Sequence, residues 1–322
     1  MLKGMNKQTR RLVIALPLGA LLLGSAPLLA AEPPPPPPAP APAAPPAPAQ
    51  PTRAEVLQGA NKLLVEGKYA EAEAEFRRAE PLGAGLCGEC SLGLAMIRAS
   101  EGKWAETADM IQRSLPLLTT PATLAQAYNQ LGMAYAKGAG GEDRLAKAEE
   151  AMRDAVDYGG PWGEIARRNL AQVLFLKESW AESAQVAREA LANAGTDAEA
   201  AQSARVILCQ ARSHLPDELP EEPAPEGAGK ASRPVRISGP NPQYTQEARD
   251  AKVAGTVIVK GTVDREGCLR NPVVVQGMEH GMSEAVLNAF RLWVFSPAVA
   301  GGKPVPAEYS VSVKFEPSAP PA

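Results

Sequence analysis

The chain has 322 residues, with 33 basic and 36 acidic side chains and two histidines. The charges nearly balance, and no basic stripe or aromatic cluster is present, which argues against a nucleic-acid-binding protein. His214 and His280 are too far apart in sequence to form an HExxH metal motif, and no nucleophile, base and orienting group can be placed together. The sequence therefore predicts no catalytic residue, no cofactor and no enzyme activity.

Residues 1–31 have the pattern of a signal peptide or a membrane anchor. Basic side chains precede an apolar stretch from Leu12 to Ala31, so the start is expected in the cytoplasm and the remainder is exported. About 20 residues just suffice to span a bilayer, but Pro17 weakens the span and Ala30 suits a peptidase. The sequence is compatible both with cleavage of this segment and with its retention as a membrane anchor.

Residues 32–52 are dominated by proline and alanine. Such a composition cannot form a core and favours an extended polyproline II spacer of roughly 60 Å. A stiff spacer is the favoured interpretation, and a polyproline ligand for a partner is the alternative.

Residues 53–214 predict an all-α repeat domain. Small and large side chains recur at one spacing, first as Gly67, Tyr69, Ala72, Phe76 and Ala79, then as Gly102, Trp104, Thr107, Ile111 and Ser114, then as Glu178, Trp180, Ser183, Ala187 and Ala190. A further copy resembles the tetratricopeptide repeat most clearly, through Tyr128, Leu131, Gly132, Tyr135, Ala148, Met152 and Ala155. We expect about four helix pairs from Arg53 to Leu191 and a closing helix from Asp197 to His214.

Stacked repeats of this kind form a concave groove that generally binds a peptide or another protein. Candidate groove residues are Tyr128, Arg167 and Arg168, and the alternative is that they are ordinary packing and solvated positions. The sequence does not identify the protein or peptide that the repeats bind.

Four cysteines in an exported chain meet an oxidising compartment. Cys87 and Cys90 stand three apart at the start of a repeat helix, which favours a local disulfide or a structural role over redox catalysis. Cys209 and Cys268 are expected to lie far apart in different domains, so no metal site is predicted.

Residues 215–235 are predicted to be an acidic, proline-rich linker that separates two independently folding units. The second unit covers residues 236–316, and residues 317–322 are expected to form a disordered tail.

The second unit predicts a small α+β fold of the order strand, strand, helix, strand. Alternating β-branched residues from Val257 to Val263 and from Val273 to Val275 flank a turn, as in a hairpin. Apolar residues spaced by three and four from Met282 to Trp293 indicate an amphipathic helix. The segment from Tyr309 to Phe315 alternates apolar and polar residues, which indicates a last strand with one buried face.

This unit resembles the TonB C-terminal domain over roughly residues 236–316. The matching residues are Pro242, Tyr244, Ala248, Arg249, Gly255, Val257, Val259, Val263, Gly267, Val275, Ala285, Ala289, Trp293, Phe295, Pro297, Gly302, Pro304 and Phe315. Thr245 departs from the family, which usually has proline there, and is expected to loosen the start of the following helix without changing the fold.

The resemblance implies a periplasmic module that adds an edge strand to a short segment of an outer-membrane TonB-dependent transporter. An unpaired strand edge can bind an extended peptide through main-chain hydrogen bonds. The alternative is an ordinary terminal strand that twist and a lysine protect. The predicted partner-binding residues are Tyr309, Ser310, Val311, Ser312, Val313, Lys314 and Phe315.

Two functions are consistent with this pattern. One is a TonB-like energy transducer, anchored in the inner membrane through residues 12–31 and coupled to an energising complex. The other is a periplasmic adaptor for cell-envelope assembly that transmits no energy. Transducers of the TonB type carry a histidine in the anchor, whereas residues 12–31 contain none, which favours the adaptor.

Overall fold

The computed structural model describes residues 50–216 and 231–316. Residues 1–31, the predicted tail at 317–322, and most of the spacer and the acidic linker lie outside the described residues. None of the helices in the two described ranges is long and apolar enough to cross a membrane.

The first range folds into four antiparallel helix pairs and a closing helix. The pairs are α1 (Arg53–Val65) with α2 (Tyr69–Ala79), α3 (Gly88–Ser100) with α4 (Trp104–Ser114), α5 (Pro121–Ala136) with α6 (Arg144–Tyr158), and α7 (Gly160–Leu176) with α8 (Trp180–Asn193); α9 is Ala198–Arg212. Asp197 caps the N-terminus of α9 by accepting from the amide of Ala200 at 2.9 Å. The predicted repeat architecture is confirmed.

Small residues set the close approach of the helices. A Cβ at Gly93 would overlap the ring of Phe76, and a Cβ at Gly132 would lie 2.6 Å from Cγ of Met152. Both large side chains are fully buried. Small residues opposite large ones are therefore a packing requirement, within a pair at Gly132 and Met152 and between neighbouring pairs at Gly93 and Phe76.

The first helices of neighbouring pairs contact one another directly, whereas the second helices are held apart. On the contacting side, Asn169 of α7 donates a hydrogen bond to the buried Asn129 of α5 at 2.8 Å. The array therefore has an inner surface lined by α1, α3, α5, α7 and α9, with troughs between the second helices on its other side.

The second range is an α+β unit. Its elements are β1 (Val235–Ser238), α10 (Gln246–Asp250), β2 (Gly255–Val263), β3 (Leu269–Gln276), α11 (Met282–Arg291), β4 (Val294–Ser296), β5 (Ala298–Ala300), β6 (Lys303–Val305) and β7 (Ala307–Phe315). An antiparallel sheet has the order β3-β2-β7, and the short strands form the pairs β1-β4 and β5-β6. The predicted hairpin, helix and last strand are confirmed as β2, β3, α11 and β7.

The core of this unit lies between the sheet and α11, which packs on β2 and β3. Its fully buried side chains include Val257 and Val259 of β2 and Phe290 of α11. The predicted element order is incomplete, because β1, α10 and the three short strands between α11 and β7 lack enough residues to show a period.

Thr245 does not loosen the chain where the TonB resemblance would place proline. Its hydroxyl accepts from the amide of Ala248 at 3.1 Å, which caps α10, and donates to the carbonyl of His280 at 2.7 Å. The hydroxyl therefore fixes the start of α10 and joins it to the loop before α11.

Candidate functional site

Strand β7 lies at an edge of the three-stranded sheet. Its nine residues pair with β2 in unbroken antiparallel register, from Ala307 opposite Val263 to Phe315 opposite Gly255. Within residues 50–216 and 231–316, no other strand pairs with β7. Since alternate residues of an antiparallel strand direct their N–H and C=O groups to opposite sides, one row of main-chain groups points away from β2.

The inner face of β7 is only partly covered. Tyr309, Val311 and Val313 are half-buried, whereas Phe315 at the end of the strand is buried. Helix α11 contacts β2 and β3, so its cover is offset from β7. A strand added beside β7 would therefore find apolar side chains on this face.

The outer face of β7 is polar and exposed. Ser310 and Ser312 occupy its centre, while charges stand near its ends, where Glu308 lies 3.5 Å from Nζ of Lys260 and Lys314 lies 2.6 Å from a carboxylate oxygen of Glu316. Lys314 is thus ion-paired with Glu316, which follows the strand. The central residues Ser310 and Ser312 carry no charge that would repel an added strand.

The opposite edge of the sheet, formed by β3, is less suited to strand addition. Pro272 has no N–H to offer, and Asn271 adopts a positive φ of 47°. The register between β2 and β3 also shifts twice. Natural sheets commonly use such features to prevent strand addition at an edge. Strand β7 has no proline, no positive φ and no shift of register.

Two of the three candidate groove residues, Tyr128 of α5 and Arg167 of α7, line troughs between second helices. Tyr128 stacks on Tyr158 with ring centroids 5.6 Å apart. It lines a cavity of about 390 Å³ together with residues of α4 and α6, among them Gln112, Glu150 and Asp154.

Acidic side chains outnumber basic ones around this cavity, which Glu150, Asp154 and Lys147 line. Burial, and next the charges of Glu150 and Asp157, raise the pKa of Asp154. Burial, followed by the charge of Asp154, also raises the pKa of Tyr128. The trough on the α4–α6 side of the repeats is therefore a place where negative charge is held without full compensation.

Arg167 lines a second trough of about 350 Å³ between α6 and α8. Its guanidinium lies 3.3 Å from Glu164 and 3.1 Å from Glu189, so it already has ion-pair partners. Arg168 is partly exposed and has no ion pair with another residue of the described ranges. The three candidates are therefore not brought together at one site.

Cys87 and Cys90 form a disulfide at the start of α3, as the spacing favours. The expectation that Cys209 and Cys268 lie far apart is wrong, because a second disulfide joins them with a Cα–Cα distance of 5.0 Å. It links α9 to the turn between β2 and β3. No cluster of three or more metal-ligating His, Cys, Asp or Glu side chains occurs among the described residues.

Comparison with known families identifies the strand-rich unit. The family model for the Gram-negative bacterial TonB protein C-terminal matches residues 240–317. The chain ends in a TonB C-terminal domain. A curated relative, protein TonB of Vibrio cholerae serotype O1, is 24% identical over 109 residues, which cover 31% of this chain and 45% of that protein. The match thus spans less than half the length of this relative.

Three solved structures are similar to part of this chain. BtubC (BKLC) from P. vanneervenii is 14% identical with a TM-score of 0.40 and covers 49% of this chain and 71% of its own. MamA from Desulfovibrio magneticus RS-1 is 20% identical with a TM-score of 0.34, over 43% of this chain and 73% of its own. YrrB, described as a TPR protein with an unusual peptide-binding site, is 18% identical with a TM-score of 0.34, over 51% and 86%. The repeat assignment itself rests on the four helix pairs described above.

Proposed function

We propose that this TonB-like chain is a periplasmic binding protein that engages outer-membrane TonB-dependent transporters by β-strand addition at β7. The supporting observation is the edge itself: nine residues in regular register with β2 on one side, and no strand partner on the other among the described residues. An extended transporter segment would complete the sheet through main-chain hydrogen bonds.

The partly covered row of Tyr309, Val311 and Val313 sets the side-chain preference. Residues of the added strand that lie on this face would bury apolar surface against these side chains, while their neighbours would meet Ser310 and Ser312. The favoured segment is therefore short, extended and apolar at alternate positions.

Hydrogen exchange of the β7 amides tests this proposal. In the free protein, alternate amides from Glu308 to Lys314 should exchange fast, because they point away from β2. Saturating the full chain with N-terminal peptides of outer-membrane transporters should slow that alternate set and leave the β2-bonded set unchanged. Amides of β3 serve as the internal control. A set of transporter peptides that leaves all β7 amides unaffected would overturn the proposal.

The repeats are proposed to hold a second protein or peptide, as a repeat block of stacked helix pairs commonly does. Residues 12–31 would anchor the chain in the inner membrane if they are retained. The domains involved are binding modules, and we propose no enzyme activity.

A second function, a periplasmic adaptor that transmits no energy, is favoured by one observation. The apolar stretch from Leu12 to Ala31 contains no histidine through which an energising complex could couple. The mass of the mature protein from cells discriminates between the two, because loss of residues 1–30 leaves no anchor and excludes the transducer.

A further inference from the structure

The junction between α9 and the TonB C-terminal domain is covalent. The Cys209–Cys268 disulfide joins the last turns of α9 to the segment that follows β2. Both cysteines are buried. They belong to the main hydrophobic cluster of the repeats, which continues into the C-terminal domain through Val294 of β4, with Ile237 of β1 packed against it.

A buried ion pair stands beside the disulfide. Asp264, which is 1% exposed, accepts from Arg212 of α9 at 3.0 Å and from the amides of Cys268 at 2.8 Å and Glu266 at 3.0 Å. Arg212 is itself 8% exposed. Separation of the domains would take Arg212 away from Asp264 and Glu266, whereas Asp264 would keep Arg270 of its own domain, which lies 3.3 Å away.

Two further arginines of the repeats hold the same turn. Arg205 of α9 donates to the carbonyl of Glu266 at 2.7 Å, and Arg188 of α8 lies 2.5 Å from the Glu266 carboxylate. Burial lowers the pKa of Arg205, although the charges of Asp264 and Glu266 oppose this shift. The contact therefore covers part of the Arg205 side chain, which is half-buried.

Gly267 lies in a tight turn of the C-terminal domain that a side chain of the repeats also contacts. It has a positive φ of 90°, and a Cβ on it would overlap the carbonyl oxygen of Phe295 and lie 2.8 Å from Cδ of Arg205. The outer face of a closing helix in a repeat array is usually polar and solvated. Here the last turns of α9 are covered by the C-terminal domain.

We propose that the TonB C-terminal domain is the cap of the repeat array and moves with it as one rigid body. Strand β7 pairs along its whole length with β2, and β2 runs directly into Asp264 and the clamped turn. A load on β7 would therefore pass to α9 through this junction instead of through residues 217–230. The load path rests on the proposed function, whereas the rigid docking does not.

The rigid docking is tested by tumbling in solution, without any partner. In the full chain, the ¹⁵N relaxation of amides in β2 and β3 should give the same rotational correlation time as that of amides in α5 and α7. The triple variant with Cys209→Ser, Cys268→Ser and Asp264→Ala should shorten the correlation time of β2 and β3 by roughly threefold, in proportion to the mass of the released domain.

The matched control is the double variant Cys87→Ser and Cys90→Ser, which removes a disulfide within the repeats and should leave the correlation times equal. Faster tumbling of β2 and β3 in the unmodified chain would overturn the proposal. Equal tumbling in a triple variant that retains its β2 and β3 resonances would support the docking, and it would overturn only the assignment of the docking to these three side chains, since Arg188, Arg205 and the shared hydrophobic cluster would remain. Should the triple variant lose its fold, the unmodified chain still decides the question.

The load path is tested by cutting the chain between the domains. A site-specific protease sequence is placed within residues 217–230 of the full chain, the chain is cut, and it is applied to an immobilised transporter peptide. The repeat fragment should stay on the resin with the C-terminal fragment until dithiothreitol and high salt are added. Loss of the repeat fragment before reduction would overturn this proposal. Failure of both fragments to bind would contradict strand addition alone and leave the tumbling result standing.

Discussion

At the scale of single residues, Gly267 permits a substitution test of the turn that the arginines of the repeats contact. We expect Gly267→Ala to lower the free energy of unfolding by about 2–4 kcal/mol, because a left-handed backbone and a steric overlap act together. Gly302→Ala is the matched control: Gly302 has a similar φ of 78°, but nothing lies within 4 Å of the point that a Cβ would occupy. The control should lose about 1 kcal/mol. Denaturant unfolding measures both, and equal losses would show that Phe295 and Arg205 do not restrict the site.

Asp154 provides a second test, through its charge. Because its pKa is raised in the folded protein, ionisation at neutral pH costs more in the folded state than in the unfolded state. Asp154→Asn should therefore stabilise the protein by about 0.5 kcal/mol at pH 7. As the pH falls, the folded protein takes up the proton first, and the cost of burying the charged carboxylate disappears together with the repulsion from Glu150 and Asp157. The stability gain of Asp154→Asn should therefore decrease as the pH falls below the pKa of Asp154 in the folded protein. It should vanish below the pKa of Asp154 in the unfolded chain.

Unfolding free energies of Asp154→Asn measured between pH 3 and pH 7 check this dependence. Asp109→Asn is the control, since Asp109 is exposed and lies 2.7 Å from Arg113. Asp109→Asn should lower the unfolding free energy by no more than about 0.5 kcal/mol, whereas Asp154→Asn should raise it. A stability gain for Asp154→Asn that persists at pH 3 would exclude charge repulsion as the cause.

At the scale of elements, α11 supports the sheet that carries β7. Phe290 is fully buried and contacts Trp293 edge-on, with ring centroids 5.3 Å apart, and Tyr309 of β7 at 6.3 Å. We expect Phe290→Ala to cost about 3–5 kcal/mol in unfolding free energy. Leu292→Ala, just beyond the same helix, changes a side chain that is 42% exposed and should cost less than about 1 kcal/mol. Thermal or denaturant unfolding compares the two, and similar losses would contradict the packing described here.

Long elements could be predicted from the sequence because each repeats its pattern several times. Strand β7 shows four apolar positions at a period of two, and α11 shows a full apolar face. Strands β4, β5 and β6 have three residues each, which is too short for any period. The edge position of β7 also could not be derived from its own residues, since it depends on which strands pair with β2.

At the scale of the whole molecule, the junction cannot be predicted from the sequence because its signals are not local. Asp264, Arg212 and Arg205 each read as ordinary charged residues, and only the fold brings them together. Cysteine counting offered a clue: with Cys87 and Cys90 paired, one pairing remained for the other two. The acidic, proline-rich linker argues against that pairing, because such a linker usually separates independent domains.

Removing each disulfide in turn measures what the junction contributes to the stability of the whole chain. The Cys209–Cys268 bond spans 59 residues of sequence and the Cys87–Cys90 bond spans three. Closing the longer loop removes more entropy from the unfolded chain, so Cys209→Ala with Cys268→Ala should cost about 4 kcal/mol, against about 2 kcal/mol for Cys87→Ala with Cys90→Ala.

All four cysteines are buried to a similar degree, so the lost packing is closely matched between the two variants. Denaturant unfolding of both variants, compared with the oxidised parent, gives the difference. If the short-loop variant lost as much stability as the long-loop variant, loop closure would not be what distinguishes the bonds. The larger loss at Cys209 and Cys268 is expected because this bond ties the TonB C-terminal domain to the repeats across the full length of residues 210–267.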